Sequence, residues 1–139
     1  MENNKQIDAI YTDFSKAFDK VSHKILEIKL SKIGIRGNLL QCLKSYLNEK
    51  TQRIKLNGIF SDLIMVTSGI PQGSHLGPVL FNIFINDLIL NIKYCKYLLY
   101  ADDMKIFGIV NKGSYAALIQ NDLNYINSWC KVNLMKMLF

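Results

Sequence analysis

Two adjacent carboxylates stand between two short apolar runs, and this feature constrains the fold more than any other part of the chain. Tyr100-Ala101-Asp102-Asp103 ends the run that begins at Tyr97 and precedes the run from Met104 to Val110. Together they predict a β-hairpin with the acids at its tip. Adjacent like charges repel, whereas Mg²⁺ takes oxygen ligands from one or two carboxylates and a substrate phosphate. The hairpin therefore predicts half of a metal site.

The second half of such a site requires a carboxylate from elsewhere in the chain, and Asp13 is the best candidate. The segment from Ile7 to Phe14 has the alternation and β-propensity of a strand. Its odd-numbered residues share one face: Ile7, Ala9, Tyr11 and Asp13. A carboxylate at the end of an otherwise apolar face either caps the next segment or projects into a site. Periodicity alone favours the cap.

A glycine-rich loop lies between these two segments. Ser68-Gly69-Ile70-Pro71-Gln72-Gly73-Ser74 continues into His75-Leu76-Gly77-Pro78, and this composition predicts a tight loop whose backbone amides another molecule can approach. The apolar stretch from Val79 to Leu90 is long enough for a buried helix, and Pro78 suits its first turn. A loop that opens a helix presents N–H groups to anions such as phosphate. The spacing matches neither a P-loop nor a dinucleotide fingerprint.

In chain order, the three segments are similar to motifs A, B and C of reverse transcriptases, and more narrowly to those of non-LTR (jockey-like, LINE-type) retrotransposons. The matching residues are 11–19, 68–78 and 100–103, and Ile85-Asn86-Asp87-Leu88 fits the end of the helix after motif B. The resemblance implies an α+β polymerase palm, with a mainly antiparallel sheet and helices packed on one face. The predicted order of strand, two helices, hairpin, helix, hairpin and helix agrees with that fold.

The resemblance also implies the catalytic and metal-binding residues. Asp13, Asp102 and Asp103 would be the catalytic carboxylates that hold two Mg²⁺ ions, with Mn²⁺ as an alternative. Phe14 would add a backbone carbonyl to one of them. In a two-metal site, with ions about 3.5–4 Å apart, one metal activates the primer 3′-hydroxyl and the other neutralises charge on the triphosphate and the leaving pyrophosphate.

Nucleotide and template contacts are implied in the same way. Phe18 would stack under the incoming sugar and clash with a ribose 2′-hydroxyl, which favours deoxynucleotides. The remaining nucleotide-binding residues would be Lys16, Ala17 and Gln72. The template–primer contacts would be Gln72, Gly73, Ser74 and Tyr100.

We therefore expect an RNA-directed DNA polymerase that transfers a nucleotide from a dNTP to a primer 3′-hydroxyl on an RNA template. The alternative is a catalytically inactive nucleic-acid-binding or interaction protein that retains the palm fold. Substituted aspartates would have favoured that alternative, and they are not substituted. A generic two-metal nuclease or phosphatase is a weaker hypothesis, because such sites usually add histidine or a further Glu beside the metals.

Composition favours one compact domain with a polyanionic partner. The 139 residues are 50% hydrophobic, and 17 Lys and Arg outnumber 11 Asp and Glu, which gives a net charge of +6. We expect a single palm domain over residues 1–139, truncated, without complete fingers or a thumb. Apolar surface that fingers and thumb would cover predicts self-association. No apolar run has the length of a membrane span and no signal sequence is evident, so we expect an intracellular, cytoplasmic or nuclear protein.

Several other residues have structural explanations. Asp19 and Ser22 precede a helical run from Lys24 to Ile33, and each is expected to be an N-cap. His23 and His75 have no partner at metal-ligand spacing and are expected to be packing or loop residues.

Further scaffold features follow from spacing. Asn57-Gly58 predicts a hairpin turn, and Trp129 falls on the apolar stripe of a helix from Tyr115 to Lys131. The cysteines are odd in number and scattered, which predicts buried thiols in a reducing compartment: Cys42, Cys95 and Cys130.

Overall fold

The computed structural model describes residues 6–48, 51–71, 73–109 and 115–138. The helices are α1 (His23–Lys32), α2 (Gly37–Asn48), α3 (Leu76–Ile85) and α4 (Tyr115–Val132). The strands are β1 (Ile7–Phe14), β2 (Thr51–Gln52), β3 (Lys55–Leu56), β4 (Ile59–Phe60), β5 (Ile64–Met65), β6 (Lys96–Tyr100), β7 (Asp103–Ile109) and β8 (Met137–Leu138). Two 3₁₀ segments span Phe18–Lys20 and Asn86–Asn91. None of the described helices is both long and apolar enough to cross a membrane.

Tertiary contacts divide the chain into two compact units. Unit 1 comprises Met1–Ala17 and Ile85–Phe139, and unit 2 comprises Phe18–Phe84. The expectation of one truncated domain over residues 1–139 stays a prediction. Mixed helices and antiparallel sheets confirm the predicted α+β class.

Unit 1 is built on an antiparallel sheet with strand order β6-β7-β1-β8. One face of its two central strands is buried, and the buried side chains are Thr12, Phe14, Met104 and Ile106. The predicted alternation of β1 is confirmed. However, the face that carries its odd-numbered residues is the exposed one, and Thr12 and Phe14 lie on the buried face.

Helix α4 contributes the other side of the unit 1 core. Ile126, Trp129 and Cys130 are buried, at the spacing of one helical stripe. The Trp129 ring meets Phe14 edge-on, with ring centroids 6.2 Å apart, and its indole Nε1–H donates to Asp87 Oδ1 at 2.8 Å. The predicted core role of Trp129 is confirmed, and Asp87 accepts the hydrogen bond that its indole N–H donates.

Unit 2 contains α1 and α2, which pack on each other through leucines spaced four residues apart: Leu26, Leu30, Leu43 and Leu47. His23 is buried, with one ring nitrogen 2.7 Å from the Gly69 carbonyl and the other 3.1 Å from Asn48 Oδ1. This position confirms that His23 is a packing residue. His75 lies exposed in a turn, as expected.

The predictions for the ends of elements are only partly correct. Ser22 occupies the N-cap position of α1, but its side chain makes no capping hydrogen bond. The expectation for Asp19 is wrong, because it lies in the preceding 3₁₀ segment. The apolar run after Pro78 does not form one helix, since α3 ends at Ile85 and a 3₁₀ segment follows.

Two other scaffold predictions are tested by the structure. Asn57 and Gly58 form the expected turn, with φ of 49° and 84°, although the flanking strands β3 and β4 have only two residues each. Cys95 and Cys130 are buried, but Cys42 is exposed on α2, so its predicted burial is wrong. Burial raises the pKa of the Cys130 thiol to about 11.

Candidate active site

Strand register aligns four residues in one row across the exposed face of the unit 1 sheet. From one edge of the sheet to the other they are Tyr100, Asp103, Asp13 and Leu138. We call these residues the carboxylate row. The sheet therefore brings together two acids that are far apart in sequence, as the strand and hairpin predictions require.

The backbone pattern shows how closely Asp13 and Asp103 face each other. Thr12 Oγ1 donates to the Met104 carbonyl at 3.2 Å, so that carbonyl points toward β1. Backbone groups alternate in direction along a strand, so the neighbouring pair of Asp13 and Asp103 is a non-hydrogen-bonded pair. In such pairs the Cα atoms are about 4.5 Å apart and the side chains are at their closest.

No ion pair joins this carboxylate pair to a cation in the part of the chain that the structure describes. Asp13 and Asp103 are exposed, and no described residue forms an ion pair or side-chain hydrogen bond with either. The interpretation of Asp13 as a cap, which periodicity favoured, is therefore wrong. Like charges directly opposite each other destabilise a sheet by roughly 0.2–1 kcal/mol. A cation bound between the carboxylates removes that cost.

Asp102 lies beside the row in a two-residue turn. Tyr100 pairs with Asp103, which leaves Ala101 and Asp102 as the loop, and Ala101 has a φ of 51°. A left-handed conformation costs a non-glycine residue roughly 1–2 kcal/mol. The predicted hairpin tip is confirmed, and its turn carries the kind of strain that recurs at functional sites.

The donors in this region fit magnesium better than a softer metal. Asp13 and Asp103 offer only hard oxygen atoms, and they are open to solvent. The alternation that defines the pair also directs the Phe14 carbonyl toward β7, the strand that begins at Asp103. Within the described ranges, no three His, Cys, Asp or Glu side chains converge as a metal cluster. The structure thus pairs two of the three predicted acids and leaves Asp102 outside the pair.

A second row runs next to the carboxylate row and was not predicted. Leu98, Lys105 and Tyr11 align through the same register, and the Lys105 ammonium lies 4.7 Å from the Tyr11 ring centroid. Both rows line a concavity of about 840 Å³. The sequence does carry a signal for Lys105, because a residue two positions after Asp103 on a strand lies on the same face.

Unit 2 brings together three other predicted site residues. Phe18 stacks on Phe81, with ring centroids 4.5 Å apart and planes inclined by 22°. A cavity of about 430 Å³ is lined by Phe18 together with the loop residues Gly73 and Ser74. The predicted sugar gate and two predicted template contacts therefore lie around one cavity.

The glycine-rich loop uses several of its polar groups internally. Ser74 Oγ donates to the Pro71 carbonyl at 2.9 Å and accepts from the Gly77 amide at 3.0 Å. The amides of Gly69 and Ile70 donate at 2.9 Å to carbonyls in the 18–21 segment. These three amides are thus not free for phosphate, contrary to the simple expectation for a loop that opens a helix.

The remaining predicted residues have varied positions. Lys16 is exposed and has a φ of 51°, whereas the Ala17 side chain is buried, so Ala17 offers only its backbone to a nucleotide. Tyr100 is 82% exposed. Gln72 lies outside the described residues. The nucleotide and template roles of these residues stay predictions.

The sequence of this chain is similar to those of several known proteins. Residues 2–137 match the family described as reverse transcriptase (RNA-dependent DNA polymerase). The chain is 32% identical to the probable RNA-directed DNA polymerase from transposon BS of Drosophila melanogaster, over 97% of this chain and 16% of that protein. It is 34% identical to the RNA-directed DNA polymerase from mobile element jockey of the same species, over 63% of this chain and 10% of that protein. The chain thus spans less than a fifth of each relative's length.

A solved structure has a similar fold. The apo telomerase of Candida tropicalis, truncated from its C-terminal domain, aligns with 99% of this chain and 31% of that chain, with a TM-score of 0.64 and 15% identity. At this identity the likeness concerns the fold alone. It confirms the predicted polymerase palm.

Proposed function

This chain belongs to the reverse transcriptase family, and from that premise we propose that it carries out RNA-directed DNA synthesis by two-metal nucleotidyl transfer. The retrotransposon relatives confirm the resemblance to non-LTR elements that the three motifs predicted. The proposed substrates are an RNA template, a DNA primer and a dNTP.

The facing pair of Asp13 and Asp103 is the observation that supports this proposal most strongly. The two carboxylates are in register, exposed and without an ion pair among the described residues, so they repel each other. A cation bound between them relieves this repulsion. Asp102 and the Phe14 carbonyl complete the proposed donor set. When bound there, Mg²⁺ or Mn²⁺ supplies Lewis-acid activation of the primer 3′-hydroxyl and neutralises charge on the triphosphate.

The cavity in unit 2 supports the proposed choice of nucleotide. Phe81 fixes the Phe18 ring at its wall, and a ring held in place can exclude a 2′-hydroxyl because it cannot rotate away. Gly73 and Ser74 line the same cavity, and we assign them to the template–primer strand together with Gln72 and Tyr100. Lys16, Ala17 and Gln72 are the proposed partners of the triphosphate and base.

We also propose an intracellular setting, cytoplasmic or nuclear. The three cysteines are all free thiols. Free thiols are the normal state in reducing compartments.

Primer extension on an RNA template with dNTPs and Mg²⁺ tests the proposal. The variant is the double substitution Asp102→Asn, Asp103→Asn, and the matched control is Asp8→Asn. Asp8 lies on the same sheet and pairs with Gly108. The substitution Asp8→Asn removes one negative charge outside the carboxylate row. We expect the double variant to lose extension by about 100-fold or more, and Asp8→Asn to extend like the native chain.

Two results would contradict the proposal. Equal extension by the double variant and the native chain would show that these carboxylates are not catalytic. Absence of extension by every protein, with RNA still bound, would favour the alternative of an inactive nucleic-acid-binding protein that retains the palm fold.

A further inference from the structure

A two-faced β-ribbon projects its side chains into solvent in unit 2. Strands β3 and β4 pair Lys55 with Phe60 and Leu56 with Ile59. The Ser61 amide donates to the Ile54 carbonyl at 2.9 Å and extends the pairing. We call residues 53–61 the 53–61 hairpin. Every one of its residues is exposed, so its side chains are available to a partner.

One face of the 53–61 hairpin concentrates positive charge around an aromatic ring. The Arg53 guanidinium carbon lies 4.0 Å from the Phe60 ring centroid, and the Lys55 ammonium lies 5.2 Å from it. Lys55 shares a face with Phe60 because the two are paired, and Arg53 precedes Lys55 by two residues. Both cations are thus held by the same ring and point to the same side of the ribbon.

The two cations have no acidic partner among the residues that the structure describes. The ion pair found there involves Lys44 and Glu27, and neither Arg53 nor Lys55 reaches a carboxylate. Two like charges gathered on one ring repel each other, and an anion of high charge density relieves that repulsion. Because Phe60 is 48% exposed, the ring and the stacked guanidinium also offer flat surface to a nucleobase.

We propose that the 53–61 hairpin binds single-stranded RNA, with backbone phosphates on Arg53 and Lys55 and a base stacked against Phe60 or the guanidinium above it. Cations that track the backbone, combined with an aromatic platform for bases, are the usual elements of single-strand binding. The assignment of this RNA to the template rests on the proposed function. The opposite face, with Ile54, Leu56 and Ile59, is apolar and is not part of this surface.

Fluorescence anisotropy with a labelled single-stranded RNA tests this proposal, with the full chain in EDTA and without dNTP. One variant carries both Arg53→Gln and Lys55→Gln, and a second variant carries Phe60→Leu alone. The matched control is Lys32→Gln, Arg36→Gln, which removes one lysine and one arginine from exposed positions of the same unit. Thermal melting of each variant verifies that it folds.

Each variant has its own expected effect. Loss of Arg53 and Lys55 should raise the Kd about tenfold or more and reduce the slope of log K against log salt by about 1.4, since each phosphate contact on a single strand contributes about 0.7. Phe60→Leu should raise the Kd about fivefold or more without a change in slope. The control pair should change the slope far less than the Arg53 and Lys55 pair.

Several results would overturn the proposal. The proposal fails if the Lys32, Arg36 control variant loses as much RNA affinity as the Arg53, Lys55 variant does. It also fails if the Arg53, Lys55 variant binds RNA with unchanged affinity. Loss of self-association without loss of RNA binding would assign the hairpin to contact between copies of the chain. Tighter binding of single-stranded DNA than of RNA with the same sequence would overturn the assignment to template.

The same assay separates this inference from the proposed function. Because no metal or dNTP is present, the Asp102→Asn, Asp103→Asn variant should bind RNA like the native chain even though it fails to extend a primer. If the hairpin variants bind RNA normally while that double variant loses extension, the inference fails and the proposed function stands.

Discussion

Phe18 is held in place by an aromatic partner, Phe81. Its ring stacks on Phe81 at a centroid distance of 4.5 Å and remains half-buried, with its free side on the unit 2 cavity. A stacked aromatic pair contributes about 0.5–1.5 kcal/mol beyond the area it buries. The same contact therefore stabilises unit 2 and holds a bulky side chain where the proposed function places a sugar.

Substitution Phe18→Leu should separate these two effects. We expect the free energy of unfolding to fall by about 1 kcal/mol because the stack on Phe81 is lost. We also expect ribonucleotide incorporation to rise relative to deoxyribonucleotide incorporation, since leucine leaves room for a 2′-hydroxyl. Denaturant titration measures the first effect, and single-nucleotide incorporation measures the second.

Phe107→Leu provides the control for Phe18→Leu, because Phe107 is a partly exposed phenylalanine on β7 that does not line that cavity. It should leave the sugar preference unchanged. A Phe18→Leu protein with the native preference would show that Phe18 has only a structural role.

The acidic residues show what sequence can predict at this scale. Asp102 and Asp103 were located because apolar runs on both sides define a hairpin, which is local information. Which of them faces Asp13 depends on cross-strand register, which involves residues about ninety positions apart. Periodicity also favoured a cap for Asp13, since it cannot distinguish the exposed face of a strand from the buried one.

At the scale of elements, α4 is tied to the start of β6 by one buried carboxylate. Asp122 is 2% exposed, and its oxygens accept from three consecutive amides, those of Lys93, Tyr94 and Cys95, at 3.1, 2.9 and 2.8 Å. Burial of the Cys95 thiol and its proximity to this carboxylate raise the pKa of Cys95 to about 11. Asp122 thus fixes the segment that leads into the strand before the candidate site.

Substitution Asp122→Ala should destabilise the protein by about 3 kcal/mol or more, because three amides lose a charged acceptor and Cys95 lies in a buried setting. Chemical denaturation measures this loss. Asn121→Ala removes a polar side chain from the adjacent exposed position of α4 and should change stability by less than about 0.5 kcal/mol. Equal effects of the two substitutions would contradict the role of Asp122.

Elements with strong periodicity were predicted well, and elements limited by tertiary contacts were not. β1, α1 and α4 match their predicted ranges to within one or two residues. Hydrophobicity gave no signal for a helix end inside the run from Val79 to Leu90, whereas the family resemblance placed that end at Ile85-Asn86-Asp87-Leu88. The structure ends α3 at Ile85, and the 3₁₀ segment that follows is anchored by contacts from α4 to Asp87. The Asp122 contact was also missed, since no local pattern marks it.

At the scale of the whole molecule, a large amount of apolar surface meets solvent. On the exposed face of the unit 1 sheet alone, Tyr11 is 68% exposed and Leu98 is 60% exposed. Large exposed apolar side chains, where they cluster, mark an interaction site or a tendency to aggregate. The net charge of +6 opposes association through repulsion between copies.

We therefore expect self-association that strengthens with concentration and with salt, because salt screens the repulsion and leaves apolar contacts intact. Sedimentation velocity over a dilution series measures it. Leu98→Ser should weaken association more than Leu134→Ser, which changes a leucine of similar exposure outside the sheet. A monodisperse monomer at all concentrations would contradict this prediction.

Family and fold class were predicted from three motifs in order, which is a whole-chain property that the sequence records directly. The division into two compact units was not predicted, because it depends on tertiary contacts rather than on composition. The sequence indicates only a scaffold role for the 53–61 hairpin, since neither cation–π contact around Phe60 has a sequence signature.

The proposed magnesium site between the facing carboxylates of Asp13 and Asp103 is tested by a double-mutant cycle of Asp13→Asn and Asp103→Asn. Unfolding free energies of the four proteins are measured in EDTA and in excess Mg²⁺. In EDTA, the two carboxylates should be unfavourably coupled by about 0.2–1 kcal/mol. In Mg²⁺, the coupling should become favourable, because bound metal stabilises only the protein that keeps both acids. A coupling energy that is the same with and without Mg²⁺ would contradict the proposed magnesium site.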